Sequence, residues 1–138
     1  MKWVEYNYTG QFSQLRSGVI YRPMISLKLI SGEKSENCFS LLDSGTDSTL
    51  INSEFAEALG IDESKCKRIK VSGIENSEST GFLAQVKFRV EGFEEEFETE
   101  VVFVKNMVTS GLLGQKDIFE SFNIRFEKKK NKFYLARD

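Results

Sequence analysis

The chain contains no histidine. Without an imidazole it can build neither a Ser-His-Asp triad, nor a Cys-His nucleophile pair, nor a metal site with histidine ligands, so several common hydrolytic designs are excluded together. Acid–base chemistry near neutral or acidic pH therefore falls to carboxylates. Cysteine is scarce: Cys38 and Cys66 are the only two, too few for a disulfide framework and not arranged as Cys-x-x-Cys, so both read as plain buried or surface thiols. There is one proline, and no Gly-, Pro- or Ser-rich stretch is long enough to be a linker; nor does any segment repeat. No window approaches the ~18 apolar residues of a membrane span, and "MKWVEYNYTGQF" lacks the apolar core of a secretory signal, which points to a soluble, cytoplasmic protein. Neither charge is in excess: 19 Lys and Arg against 21 Asp and Glu leave a net charge of −2, with no electrostatic footprint for nucleic acid or an anionic membrane.

What is present fits a single β-rich domain. A chain of 138 residues hides roughly two thirds of the surface it exposes unfolded, enough for a true core. Ile25, Leu27 and Leu29 alternate before a turn at Ser31-Gly32, and a second strand becomes apolar at Phe39–Leu42, which predicts a hairpin. "NSEFAEALG" (52–60) predicts a short helix capped by Asn or Ser, with Phe55, Ala58 and Leu59 on its apolar face and Gly60 as its stop. Ala84, Val86, Phe88 and Val90 alternate up to a turn at Gly92, and Phe97, Val101 and Phe103 alternate back from it. Two further apolar segments, 122–126 and 133–135, flank the basic run Lys128-Lys129-Lys130 and predict a third hairpin with a charged turn. Glu94, Glu96, Glu98 and Glu100 fall on one side of a strand and read as a solvated face, not a metal site.

One carboxylate stands out. In "LLDSGTDSTL" (41–50) Asp43 ends an apolar strand, where an ionised acid is costly unless hydrogen-bonded or paired. Alone, Asp-Ser-Gly is also an ordinary turn sequence.

The flanks add to it. "RPMISLKLI" (22–30) followed by "FSLLDSGTDSTLI" (39–51), then "GLLGQKDIF" (111–119) and the ending "ESFNIRFEKKKNKFYL", resembles in order the retroviral-type (retropepsin-like) aspartic protease family. The resemblance implies a mainly β fold, an acid-protease β-barrel with two short helices and one lobe per chain, spanning 22–138. Residues 1–21 are then an N-terminal extension, whose Trp3, Tyr6, Tyr8 and Phe12 serve as an added strand, as cover for the core or as a pro-segment.

The same resemblance implies an aspartic endopeptidase inhibited by pepstatin-type compounds. Two aspartates are needed, and the chain has one Asp-[Ser/Thr]-Gly, so a homodimer would supply Asp43 twice. Ser44 would bond across the twofold axis and Gly45 would let the substrate backbone approach. Asp47 would bind substrate backbone, and Arg22 would pair with Asp47 across the interface. Thr46, a further substrate-binding candidate, stands where the family commonly has alanine, and a hydroxyl beside the dyad would be able to bond a carboxylate. A flap is implied within 70–86, with Gly73, Ile74 and Phe82 over the substrate, and Leu112 and Val71 would line apolar pockets. No cofactor or metal is implied, and the partners are a second copy and a peptide or protein substrate. The rival reading is a catalytically silent peptide-binding or dimerisation module on the same fold.

Overall fold

A computed structural model of the chain describes residues 1–74 and 77–138, with side chains for 1–71 and 79–138. The N-terminal segment forms β1 (Val4–Asn7), β2 (Thr9–Ser13) and β3 (Gly18–Arg22). Beyond Pro23 come β4 (Met24–Ser31) and β5 (Lys34–Leu42), paired antiparallel around Gly32, which takes φ +59°. After a loop, β6 (Leu50–Asn52) leads into α1 (Ser53–Ala58). Then follow β7 (Lys67–Ile74), the long β8 (Ser77–Val90) and β9 (Glu96–Val104), the last two joined through Gly92 at φ +92°. The chain ends with β10 (Gly111–Leu113), a distorted helical turn over Gln115–Phe119, β11 (Asn123–Glu127) and β12 (Lys132–Ala136).

Six of these strands close a barrel. β4 pairs with β5, β5 with β10, β10 with β6, β6 with β9, β9 with β8, and the C-terminal half of β8 returns to β4. Closure pairs the edges that an open sheet would leave exposed. The alternating residues fill its interior: Ile25, Leu27, Leu29, Val86, Phe88, Val101, Phe103, Leu113 and Ile118 are all buried in one cluster. The end of β9 is apolar on both faces because it separates two environments. Val101 and Phe103 face the barrel core, while Val102 and Val104 join Leu50 in a second cluster with Ile69, Val71, Leu83, Met107 and Leu112. β7 pairs with the N-terminal half of β8 beside that cluster.

Asn52 caps α1 by accepting from the Glu54 N–H at 3.0 Å, and Gly60 follows at φ +72°. The buried face differs from the one expected. Ala56 and Leu59 are buried and Phe55 is half-buried, whereas Ala58 is exposed. At 100° per residue Ala56 and Ala58 lie equally far to either side of the stripe that Phe55 and Leu59 define, so the helical period does not choose between them and the side on which the helix packs against the barrel does.

β1 pairs with β12, whose other edge carries β11, in a separate three-stranded sheet. Tyr6 stacks on the fully buried Phe133 at 5.0 Å, Tyr8 meets the same ring edge-on at 5.9 Å, and the Tyr6 hydroxyl donates to the Glu91 carbonyl. Glu96, Glu98 and Glu100 are exposed on one face of β9. Burial pushes the Cys38 thiol up to about 11, so it stays neutral at physiological pH; Cys66 is half-buried. Among the described residues no helix is long and apolar enough to cross a membrane.

Candidate active site

The end of β5 is held from two sides. The Leu42 N–H donates to the Pro23 carbonyl and the Asp43 N–H to the Leu113 carbonyl, both at 3.0 Å, so β4 and β10 together fix where the 43–49 loop departs. Within the loop, Asp43 is half-buried and its two oxygens have different partners. Oδ1 accepts from the Gly45 N–H at 2.9 Å, and Oδ2 accepts from the Thr46 hydroxyl at 3.3 Å. The carboxylate plane is thereby set by its own loop. Gly45 keeps that contact relaxed, since a Cβ there would lie 3.3 Å from Oδ1 and press on the carboxylate.

A second segment supports the loop from below. The N–H groups of Gln115 and Lys116 donate to the carbonyls of Thr46 (2.8 Å) and Asp47 (2.9 Å), and the Gln115 side-chain amide donates to the Ser44 carbonyl at 2.7 Å. Such close approach needs a residue without a Cβ at 114: one added to Gly114 would stand 2.6 Å from the Ser48 carbonyl oxygen and closer still to that of Thr46. Asp117 then adopts φ +77°, ψ −72°, the compact turn that makes the following helical segment irregular. Its carboxylate accepts from the buried hydroxyls of Thr49 (3.1 Å) and Thr99 (2.7 Å), tying loop, β9 and β10 together.

Asp117→Ala leaves both hydroxyls without this acceptor and places Ala at a strained φ. The expected loss is ~2–4 kcal/mol at ~1–3 kcal/mol per unsatisfied buried group. Asp117→Asn, which tolerates positive φ and still accepts, is expected to restore at least half. Urea unfolding measures both, and an Ala variant as stable as wild type contradicts this role.

A cleft of about 280 Å³ opens beside Asp43, walled by Arg22, Leu41, Val104, Met107 and Leu112 among others. Asp43 is the only carboxylate lining it among the described residues. Of the residues singled out in the sequence, Asp43, Ser44, Gly45 and Thr46 share one loop, and Leu112 and Arg22 line the same cleft. Asp47 is exposed at the loop surface and, among the described residues, makes no ion pair with Arg22 within the chain. Gly73 and Ile74 end β7, but their side chains lie outside the described residues. Val71 packs in the second cluster, and Phe82 is buried in the barrel core.

Sequence reading passed over Val104 and Met107 as cleft walls, and Asp117 as an anchor. The one available signal was a threonine, Thr99, at a core-facing position of β9 where an aliphatic residue would be expected. Among the described residues no group of three or more Cys, Asp or Glu is gathered to hold a metal ion.

The family model described as aspartyl protease matches residues 35–116, more than half of the chain, from β5 through the Asp43 loop to just past Gly114. No curated protein matches. Among solved structures the chain is similar to a retropepsin-like aspartic protease from Rickettsia conorii, with 15% identity over 98% of this chain and 99% of that one and a TM-score of 0.65. It is also similar to the EIAV protease complexed with the inhibitor HBY-793, at 15% identity over 72% and 86% of the two chains and a TM-score of 0.56. The retroviral protease-like domain of Ddi1 from Leishmania major aligns at 10% identity over 83% and 94%, with a TM-score of 0.53. At such identities the likeness is one of fold.

Proposed function

This chain belongs to the aspartyl protease family, and from that premise we propose that it is an aspartic endopeptidase assembled from two copies, each contributing Asp43. The observation that carries the reading is a cleft lined, among the described residues, by one carboxylate, held in a fixed plane at the end of a barrel strand. Peptide hydrolysis by carboxylates alone needs two of them. Like charges within hydrogen-bonding reach cannot both ionise, so the pair keeps one proton.

In the two-copy site the ionised Asp43 takes a proton from water as its oxygen attacks the scissile carbonyl carbon. The protonated Asp43 of the other copy donates to the carbonyl oxygen. Collapse of the tetrahedral intermediate returns a proton to the amide nitrogen and breaks the C–N bond. Gly45 and Thr46 hold the carboxylate in orientation, which is where most of the gain from positioning arises. Ser44 joins the two loops across the axis, and Arg22 of one copy pairs with Asp47 of the other, which bonds substrate backbone. The substrate lies extended as an added strand, covered by the β7–β8 hairpin with Gly73 and Ile74. Leu41, Val104, Met107 and Leu112 make the cleft receptive to apolar side chains.

The test is a mixed peptide library incubated from acidic to neutral pH over a series of protein concentrations, with sedimentation alongside. The expected rate follows a bell-shaped pH profile and rises with the square of chain concentration below the dimer constant. Cleavage by a chain that sediments as a monomer overturns the two-copy site. A dimer that binds peptides without cutting them is the silent module instead.

A further inference from the structure

The β2–β3 hairpin is built the opposite way round from the other strands. Its two strands pair only with each other. Thr9, Gln11 and Ser13, with Ile20, are half-buried on its inner face, whereas Phe12, Val19 and Tyr21 stand outward at 73, 57 and 46% exposure. The register sets Phe12 opposite Val19 and Gly10 opposite Tyr21, so all three lie on one face. Gly10 leaves room for that arrangement: a Cβ there would meet Val19 at 3.0 Å and the Tyr21 ring at 3.2 Å. Leu15 in the connecting turn, 94% exposed, extends the patch. A two-stranded hairpin with a wet apolar face is marginal on its own, and contiguous apolar surface of this kind marks a contact site.

The hairpin is nevertheless aimed. At its base the Tyr8 N–H donates to the Asn131 carbonyl at 2.8 Å, and Lys128 Nζ donates to the Tyr21 carbonyl at 3.0 Å while lying 5.0 Å over the Tyr8 ring. The first lysine of the basic turn thus clamps the hairpin to the terminal sheet. At its other end β3 finishes on Arg22, a wall of the Asp43 cleft, and Pro23 next to it accepts from the Leu42 N–H. The apolar face and the candidate catalytic loop are therefore parts of one braced unit.

We infer that this outward face is the apolar part of the interface that joins two copies of the chain and so completes the Asp43 site; the inference rests on the two-copy reading above. The occupant is a second copy because the cleft is half a site and because the face belongs to the segment that runs into it. A twofold axis beside Asp43 brings both hairpins to the same junction. The C-terminal strand offers no alternative edge, since β12 is flanked by β1 and β11 within its own chain. The sizes also agree. A stable interface covers ~800 Å² per partner, and large aromatic side chains bury ~150–250 Å² each, so Phe12, Tyr21, Leu15 and Val19 supply roughly half, leaving the rest to the Asp43 loops.

The experiment compares full-length wild type, Phe12→Ser, Val19→Thr and the Phe12→Ser/Tyr21→Ser double variant by sedimentation over a concentration series and by cleavage of a peptide from the library. The single serine variant is expected to raise the dimer dissociation constant about tenfold and the double variant about a hundredfold. Activity per chain should fall at low concentration and return at high concentration, because no group of the Asp43 loop has changed. Circular dichroism should show an unaltered fold at such exposed positions; if a serine variant unfolds, the milder Val19→Thr decides the matter by the same shift. Dimer constants within twofold of wild type overturn the hairpin's role and leave the two-copy site standing. A wild type that is monomeric at every concentration overturns both, including the case where vesicles or another protein occupy the face.

Discussion

Asp43→Asn is expected to abolish peptide cleavage, by at least the ~10²–10⁴-fold that a positioned acid or base contributes, while fold and dimer persist. Asparagine is the same size, and its carbonyl oxygen can still accept from the Gly45 N–H, which donates to Asp43 at 2.9 Å. What it cannot do is exchange a proton. Because the proposed pair consists of the same residue twice, one substitution removes the base and the acid together. Mixing makes this visible. Mixed dimers of variant and wild type hold one competent carboxylate, so activity should follow the square of the wild-type fraction. A linear fall, or a variant retaining a tenth of the activity, means that Asp43 is not one of a symmetric pair. Sedimentation of the variant separates a chemical loss from a lost dimer.

Gly114→Ala should produce the largest loss of stability of any methyl addition near the site. The new Cβ would lie 2.6 Å from the Ser48 carbonyl oxygen, beside that of Thr46. Neither neighbour is a side chain that can rotate away. Moving them breaks the ladder in which the Gln115 and Lys116 N–H groups donate to Thr46 and Asp47 at 2.8 and 2.9 Å. Overpacking costs ~1–3 kcal/mol where side chains yield, so a backbone clash with two strained hydrogen bonds should cost about 3 kcal/mol or more. The activity should fall with it, because the displaced loop carries Asp43. Urea unfolding with peptide cleavage on the same preparation checks both, and a variant within 1 kcal/mol of wild type would show that the 43–49 loop does not rest on Gly114.

The amino-acid sequence by itself determined the local elements and the chemistry open to the chain. Alternation with Gly32 and Gly92 at the turns marks two hairpins, because side-chain period and positive φ are properties of a few consecutive residues. The lack of histidine confined acid–base work to carboxylates, and Asp43 stood apart as the acid ending an apolar strand. The face of α1 was misread at one residue, Ala58 for Ala56, because in a six-residue helix the two flank the Phe55–Leu59 stripe symmetrically and only the packing chooses between them.

Only the tertiary structure decided which distant edges meet. The barrel closes through β6 and β10, three residues each, too short to carry a period of their own. β1 joins β12 from the opposite end of the chain, and Asp117 finds Thr49 and Thr99 on other elements. Lys128 changes from a turn charge into the clamp of the N-terminal hairpin. The inverted polarity of that hairpin became legible only from the exposure of Phe12, Val19 and Tyr21 in the folded chain. Neighbours along the chain set strand and turn, but contacts between remote segments depend on which closures bury the most surface for the entropy lost, and that is a property of the whole fold.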